Sequence, residues 1–166
     1  MLEDLAAIAA EAGAMLKARG QKIAVVDGAT GGLISASLLA MTGASAYFLG
    51  GSVIYSMKGR RIALAHAPGS LRAFTSATEA YATEQARLIR ERLGADWGIA
   101  ETGAAGGGSA HPLGVASGTS AFAVVGPNGI TASRRIETGS NDRLANMQAF
   151  TAGALTLLRD TLAAQP

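Results

Sequence analysis

The sequence predicts an α/β fold: three α/β/α layers around a mixed sheet, with residues 1–166 as one domain. Two patterns carry that expectation. Short apolar runs of strand length alternate with longer stretches of helical period, and glycine clusters follow the apolar runs at 28–32, 50–51, 103–108, 114–118 and 126–129. A third feature, Pro127-Asn128-Gly129 between "SAFAVVG" and "ITASRRIE", is a hairpin signal that adds antiparallel strands at the C-terminal side of the sheet.

Taken in order, residues 2–19 place Leu2, Leu5, Ile8, Ala12, Met15 and Leu16 on one helical stripe that Gly20 ends. "KIAVVD", 22–27, is a continuous apolar run of the kind buried on both faces of a sheet. A helix is expected over 31–41, opening at the glycines, and "SAYFLGGSVIYS", 45–56, reads as strand, glycine break, strand. "TSATEAYATEQARLIRERLG" is a helix with Ser76 and Glu79 as a capping box, Arg87 and Glu91 as an i,i+4 pair, and Gly94 at its end. "DWGIAET", 96–102, is another buried strand. The last helix starts near Ser140-Asn141 and buries Leu144, Met147, Thr151, Leu155, Leu158 and Leu162.

Composition narrows the function. A hydrophobic content of 49% supplies a core, and no run of about 18 uncharged apolar residues suggests a membrane span. The start, Met1-Leu2-Glu3-Asp4, lacks the basic region of a signal peptide, and the chain has no cysteine. Both fit a cytoplasmic protein. A net charge of +2 argues against a dedicated nucleic-acid binder, and two histidines far apart make no metal site.

Three loops could carry chemistry. Asp27-Gly28-Ala29-Thr30-Gly31-Gly32 leads from strand to helix, where free N–H groups and the helix dipole favour an anion; it is neither a P-loop nor G-x-G-x-x-G. It also reads as a tight packing turn, with Asp27 as a helix cap. "ETGAAGGGSAHPLG", 101–114, allows a main chain to approach a ligand closely, or a surface loop carrying a solvated His111. "GGSVIYSMKGRRIAL", 50–64, places Lys58, Arg60 and Arg61 after a strand, as a phosphate grip or a solvated basic turn.

Together, these loops resemble the CinA C-terminal domain family, the nicotinamide mononucleotide deamidases. The resemblance covers nearly the whole chain, through "TGGLISASLLAMTGASAYFLGG", "VIYS" and "RLGADWGIAETGAAGGG". It implies a compact α/β/α domain, commonly dimeric, without a required metal or other cofactor. It also implies hydrolysis of the carboxamide of a small-molecule pyridine nucleotide to a carboxylate, releasing ammonia. The family chemistry resembles a serine nucleophile with a lysine base. Here the serine position holds Gly28, and the lysine position, five residues after Tyr55, holds Arg60, a guanidinium that stays protonated.

The resemblance therefore implies a nucleotide pocket formed by Gly28, Thr30, Gly31, Gly32, Arg60, Thr102, Gly103, Gly106 and Gly107, with Arg143 suited to phosphate. Catalysis needs a rearranged set: Ser45 or Tyr55 with Lys58, or water activated by Asp27. The alternatives are a non-catalytic nucleotide- or phosphate-binding protein on the same scaffold, and an assembly protein that uses the fold only as a frame. The nucleotide readings require the turns after the first and fourth strand-like runs to converge on one sugar-phosphate.

Overall fold

The structure is a computed structural model and describes residues 1–65, 74–108, 111 and 114–166. Its helices are α1 (Leu2–Ala18), α2 (Leu33–Leu39), α3 (Met57–Ala63), α4 (Glu79–Leu93) and α5 (Arg143–Ala163), and its strands are β1 (Ile23–Asp27), β2 (Phe48–Val53), β3 (Trp97–Ala104), β4 (Thr119–Val125) and β5 (Thr131–Glu137). The strands form one sheet in the order β2-β1-β3-β4-β5. β1 runs parallel to both β2 and β3, while β4 is antiparallel to β3 and to β5. The sheet is mixed, as the sequence predicts.

Every residue of β1 and β4 is buried. Strands covered on both faces lose the alternation of a half-exposed sheet and become continuous apolar runs. On one face Leu5, Leu16, Ile34, Leu38, Leu155 and Leu158 from α1, α2 and α5 pack against Ile23, Val25, Trp97, Ile99 and Phe122. On the other, Ala86 and Ile89 of α4 pack against Ala24, Val26 and Ala100, with Leu64 from the end of α3. Burying a side chain such as Phe122 or Leu155 contributes about 1.5–3 kcal/mol, so the two faces together hold the layers.

Strand order sets where a ligand can enter. The chain runs from β1 through α2 to β2 on one side, then back across through α4 to β3 on the other side of β1. The connections diverge between β1 and β3, leaving a crevice at the carboxyl ends of these strands, the usual binding place in such sheets.

Local chemistry moves several boundaries. Within 45–56 there is one strand and not two: Ser45 lies in a short turn before β2, Gly50 and Gly51 lie inside β2, and a register shift beside Ile23/Ala24 absorbs the irregularity. "MKGRRIA" is a helix, capped by the Ser56 hydroxyl accepting from Gly59 N–H, where the sequence predicts only a basic turn. The cap of α4 is Thr78, which accepts from Tyr81 N–H, and this releases Ser76 from the expected capping box. The Arg87–Glu91 pair forms at 2.7 Å and Gly94 ends the helix in the left-handed region. α5 begins after Asp142, whose carboxylate accepts from Ala145 N–H. As a result Leu144 points outward, 69% exposed, while Asn146 and Phe150 turn inward.

Candidate nucleotide site

The crevice contains a cavity of about 400 Å³. Its walls include main chain from Gly28-Ala29 after β1 and from Gly103 to Gly106 at the end of β3, with Gly108 beyond. The two turns meet, as the sequence predicts. Tyr55 follows β2, Arg60 comes from α3, Ser76 and Gln85 from the α4 side, His111 and Ser117 from the loop before β4, and Arg143 from the first turn of α5. Residues 109, 110, 112 and 113 of the expected glycine loop lie outside the described residues.

Two arginines make the cavity basic. Arg143 Nη1 donates to the Gly106 carbonyl at 2.9 Å and Nη2 to the Tyr55 hydroxyl at 2.7 Å, its guanidinium 5.8 Å from the Tyr55 ring centre. Both bonds aim the side chain while leaving further N–H donors open to a phosphate. Arg60 Nη2 donates to Ser76 Oγ at 2.9 Å, and its guanidinium lies 4.6 Å from the centre of the Tyr81 ring. Burial pushes the Tyr81 hydroxyl up to about 12 against the pull of Arg60, so this phenol stays neutral.

The loop after β1 differs from the expected anion cradle. Asp27 is fully buried, and its carboxylate accepts from Thr30 Oγ1 at 2.6 Å, Ile34 N–H at 3.0 Å, Ser35 N–H at 3.1 Å and Ser35 Oγ at 2.7 Å. The anion at the start of α2 is therefore the protein's own side chain. Thr30 N–H donates to Glu101 Oε2 at 3.0 Å, and Gly31 N–H to the Gly28 carbonyl at 3.0 Å. Gly31 and Gly32 have φ of 66° and 100°, a bend that glycine allows and that folds the loop back over these carboxylates. Thr30, Gly31 and Gly32 form the turn and do not line the cavity; Gly28 and Ala29 do.

The expected catalytic residues separate in the same way. Ser45 lies in a short turn before β2, at the opposite end of the parallel strands from the cavity, and is exposed. Lys58 is exposed on α3 and does not line the cavity, because the helix turns its neighbour Arg60 inward instead. Asp27 is sealed behind α2 with both oxygens engaged. Tyr55 is the member of that set that reaches the cavity, and it holds Arg143. Of the binding set, Arg60, Thr102, Gly103, Gly106 and Arg143 line the wall with Gly28. Gly107 stands behind it, its N–H bound to Asn141 Oδ1 at 3.0 Å.

Glu101 is absent from that expectation and lines the crevice. It is fully buried; Oε2 accepts from Thr30 N–H and Oε1 from Ser120 Oγ at 2.6 Å. Burial pushes its carboxyl up to about 7, with the nearby Asp27 adding to the rise and the donors from Ser120 and Thr30 opposing it. An acid inside the apolar run "WGIAETGA" is the sequence signal that marks it. Gln85 carries no such signal, since a glutamine on a polar helix looks like any surface residue. Among the described residues, no group of His, Cys, Asp and Glu side chains could hold a metal ion.

This is an open α/β sheet with a basic, glycine-walled cavity at its topological switch point, where such folds place their ligand sites. Comparison with known proteins makes the assignment specific. The family model described as CinA C-terminal domain matches residues 5–162, and the chain belongs to that family. A CinA-like protein of Chloroherpeton thalassium is 36% identical over 154 residues, which are 90% of this chain and 36% of that protein. A CinA-like protein of Synechocystis is 40% identical over 106 residues, 64% of this chain and 26% of that one. The chain thus spans between about a quarter and just over a third of the curated relatives it matches. The crystal structure of a competence-damaged protein (CinA) superfamily protein from Klebsiella pneumoniae superposes with a TM-score of 0.86 at 26% identity, covering 97% of this chain and 99% of that one.

Proposed function

We propose that the cavity binds a phosphate-bearing pyridine nucleotide such as nicotinamide mononucleotide, and that it does so without the serine–lysine hydrolysis its family relationship suggests. The observation that carries this reading is the contrast inside one cavity. Arg143 is held by Gly106 and Tyr55 in a position to take a phosphate, while the place for a nucleophile is the bare main chain of Gly28. Arg60 lines the same cavity and supplies hydrogen-bond donors for binding. Calorimetric titration with nicotinamide mononucleotide tests the reading: saturable binding that weakens in Arg143→Ala supports it, and the absence of heat with any phosphate-bearing ligand removes it.

A second reading has one observation in its favour. Glu101 belongs to the crevice and its carboxyl is raised to about 7, the range in which a general base works at neutral pH. In that reading the chain is an amidohydrolase that activates water through Glu101. Ammonia release from the nucleotide that disappears in Glu101→Gln supports it. Release that persists in that variant, or none in the parent protein, excludes it.

The homodimer implied by the resemblance has a surface available on the edge strand. Leu49 and Val53 of β2 are 45% and 60% exposed, and we propose this edge as the place of self-association. Sedimentation of the parent protein beside Val53→Lys tests it; a monomer in both cases contradicts it. No described helix is long and apolar enough to cross a membrane.

A further inference from the structure

The wall of the cavity toward α4 is polar and closely buried. Gln85 stands there, 2% exposed. Its Nε2 donates to the Tyr81 hydroxyl at 2.8 Å, one helical turn earlier, and its Oε1 has no hydrogen-bond partner. A buried carbonyl oxygen left unpaired is unfavourable, and native interiors carry few such atoms. Beside it, Ser76 Oγ already accepts from Arg60, which leaves the serine's own hydrogen to be donated. The recess therefore holds one open acceptor, Gln85 Oε1, and open donors on Ser76 and Arg60.

We propose that this recess is a subsite for a neutral amide head, with Gln85 as the residue that selects it over the corresponding acid. A primary carboxamide carries the complementary groups: its N–H donates to Gln85 Oε1, and its carbonyl accepts from Ser76 or Arg60. A carboxylate has no hydrogen for Gln85 and sets oxygen against oxygen there. The proposal runs against simple electrostatics, because a pocket with Arg60 in its wall prefers an anion unless something specific opposes it. With Gln85 Nε2 engaged by the Tyr81 hydroxyl, the amide oxygen is the end left for a ligand. The proposal rests on the pyridine-nucleotide reading only for the rest of the ligand.

The experiment compares two amide/acid pairs by titration: nicotinamide with nicotinate mononucleotide, and benzamide with benzoate, which carry no phosphate. Binding is measured on the parent protein, Gln85→Leu and Gln85→Glu, with circular dichroism confirming that each variant is folded. The parent protein is expected to bind the amide of each pair about tenfold more tightly, the value of one charged or buried hydrogen bond. Gln85→Leu is expected to erase that preference, and Gln85→Glu, which keeps an acceptor, to retain the amide and lose the acid. Equal or tighter binding of the acids, or a preference unchanged in Gln85→Leu, overturns the subsite. Binding of benzamide over benzoate with no binding of either nucleotide keeps the subsite and removes the nucleotide reading. Nucleotide binding without amide preference does the reverse.

Discussion

The main-chain carbonyl oxygen of Glu101 occupies the space that a Cβ on Gly28 would need, and Glu101 Oε2 would lie only 3.2 Å from that Cβ. The end of β1 is thus pressed against β3 at the point where the family chemistry resembles a serine nucleophile. Backbone of a central strand does not yield as the tip of a flexible side chain does. The missing side chain at residue 28 and the close approach of Glu101 are two aspects of one arrangement.

It follows that Gly28→Ala destabilises the protein, by about 1–3 kcal/mol as in other overpacked interiors. Urea unfolding of the two proteins checks the value. The double variant Gly28→Ser with Arg60→Lys is expected to release no ammonia from nicotinamide mononucleotide, because its hydroxyl arrives together with a displaced strand. Unaltered stability of Gly28→Ala contradicts the packing argument.

Arg143 is expected to carry phosphate affinity. Arg143→Ala removes charge-assisted bonds of about 1.5–3 kcal/mol, which corresponds to a loss of roughly tenfold or more in affinity for a mononucleotide. Tyr55→Phe deletes only the hydroxyl that steadies the guanidinium and is expected to cost less. Titration of both variants with the same nucleotide separates holding the phosphate from aiming the arginine.

Asp27 is expected to matter for folding and not for binding. Asp27→Ala strands the N–H groups of Ile34 and Ser35 at the start of α2 and costs roughly 2–4 kcal/mol. Below its lowered melting temperature the variant is expected to bind a mononucleotide as the parent does. A large fall in affinity with unchanged stability would place Asp27 in the site instead.

The raised carboxyl of Glu101 makes stability depend on pH in a stated direction. In the unfolded chain this group ionises near the ordinary glutamate value; in the folded protein it does so at about 7. The folded state therefore holds a proton that the unfolded state has lost between about pH 4.5 and 7. The stabilisation from Glu101 is complete below that window, falls as pH rises through it, and is flat above it, for a total of about 3 kcal/mol. In Glu101→Gln the amide oxygen accepts from Thr30 N–H and the amide nitrogen donates to Ser120. That variant is expected to lose the pH-dependent part and to exceed the parent in stability at pH 8. Urea midpoints across pH 5–8 for both proteins decide it, and parallel curves contradict it.

The layers and the meeting of the two turns were legible because they follow from patterns spread over many residues. Fully apolar runs such as "IAVVD" require helices on both faces, and the hairpin at Pro127-Asn128-Gly129 fixes the antiparallel end. The site was legible only where position in the fold decides it. Arg143 and Gly103 fall at the ends of elements that the sequence marks clearly. Ser45 was misleading because the glycines at 50 and 51 look like a break, when they lie within a strand that carries Ser45 to the far end of the sheet. Lys58 and Arg60 could not be ranked without α3, whose rotation alone turns one outward and the other in. Asp27 had two readings in the sequence, and four hydrogen bonds select the cap. Gln85 became visible only through the partner its oxygen lacks, which no sequence pattern records.

The most direct measurement is a calorimetric titration of the parent protein and Arg143→Ala with nicotinamide mononucleotide, with ammonia assayed in the same cell afterward. The account expects saturable binding to the parent protein, at least about tenfold weaker binding to the variant, and no ammonia above the blank. Absence of saturable binding to the parent, or equal binding to both proteins, would contradict it.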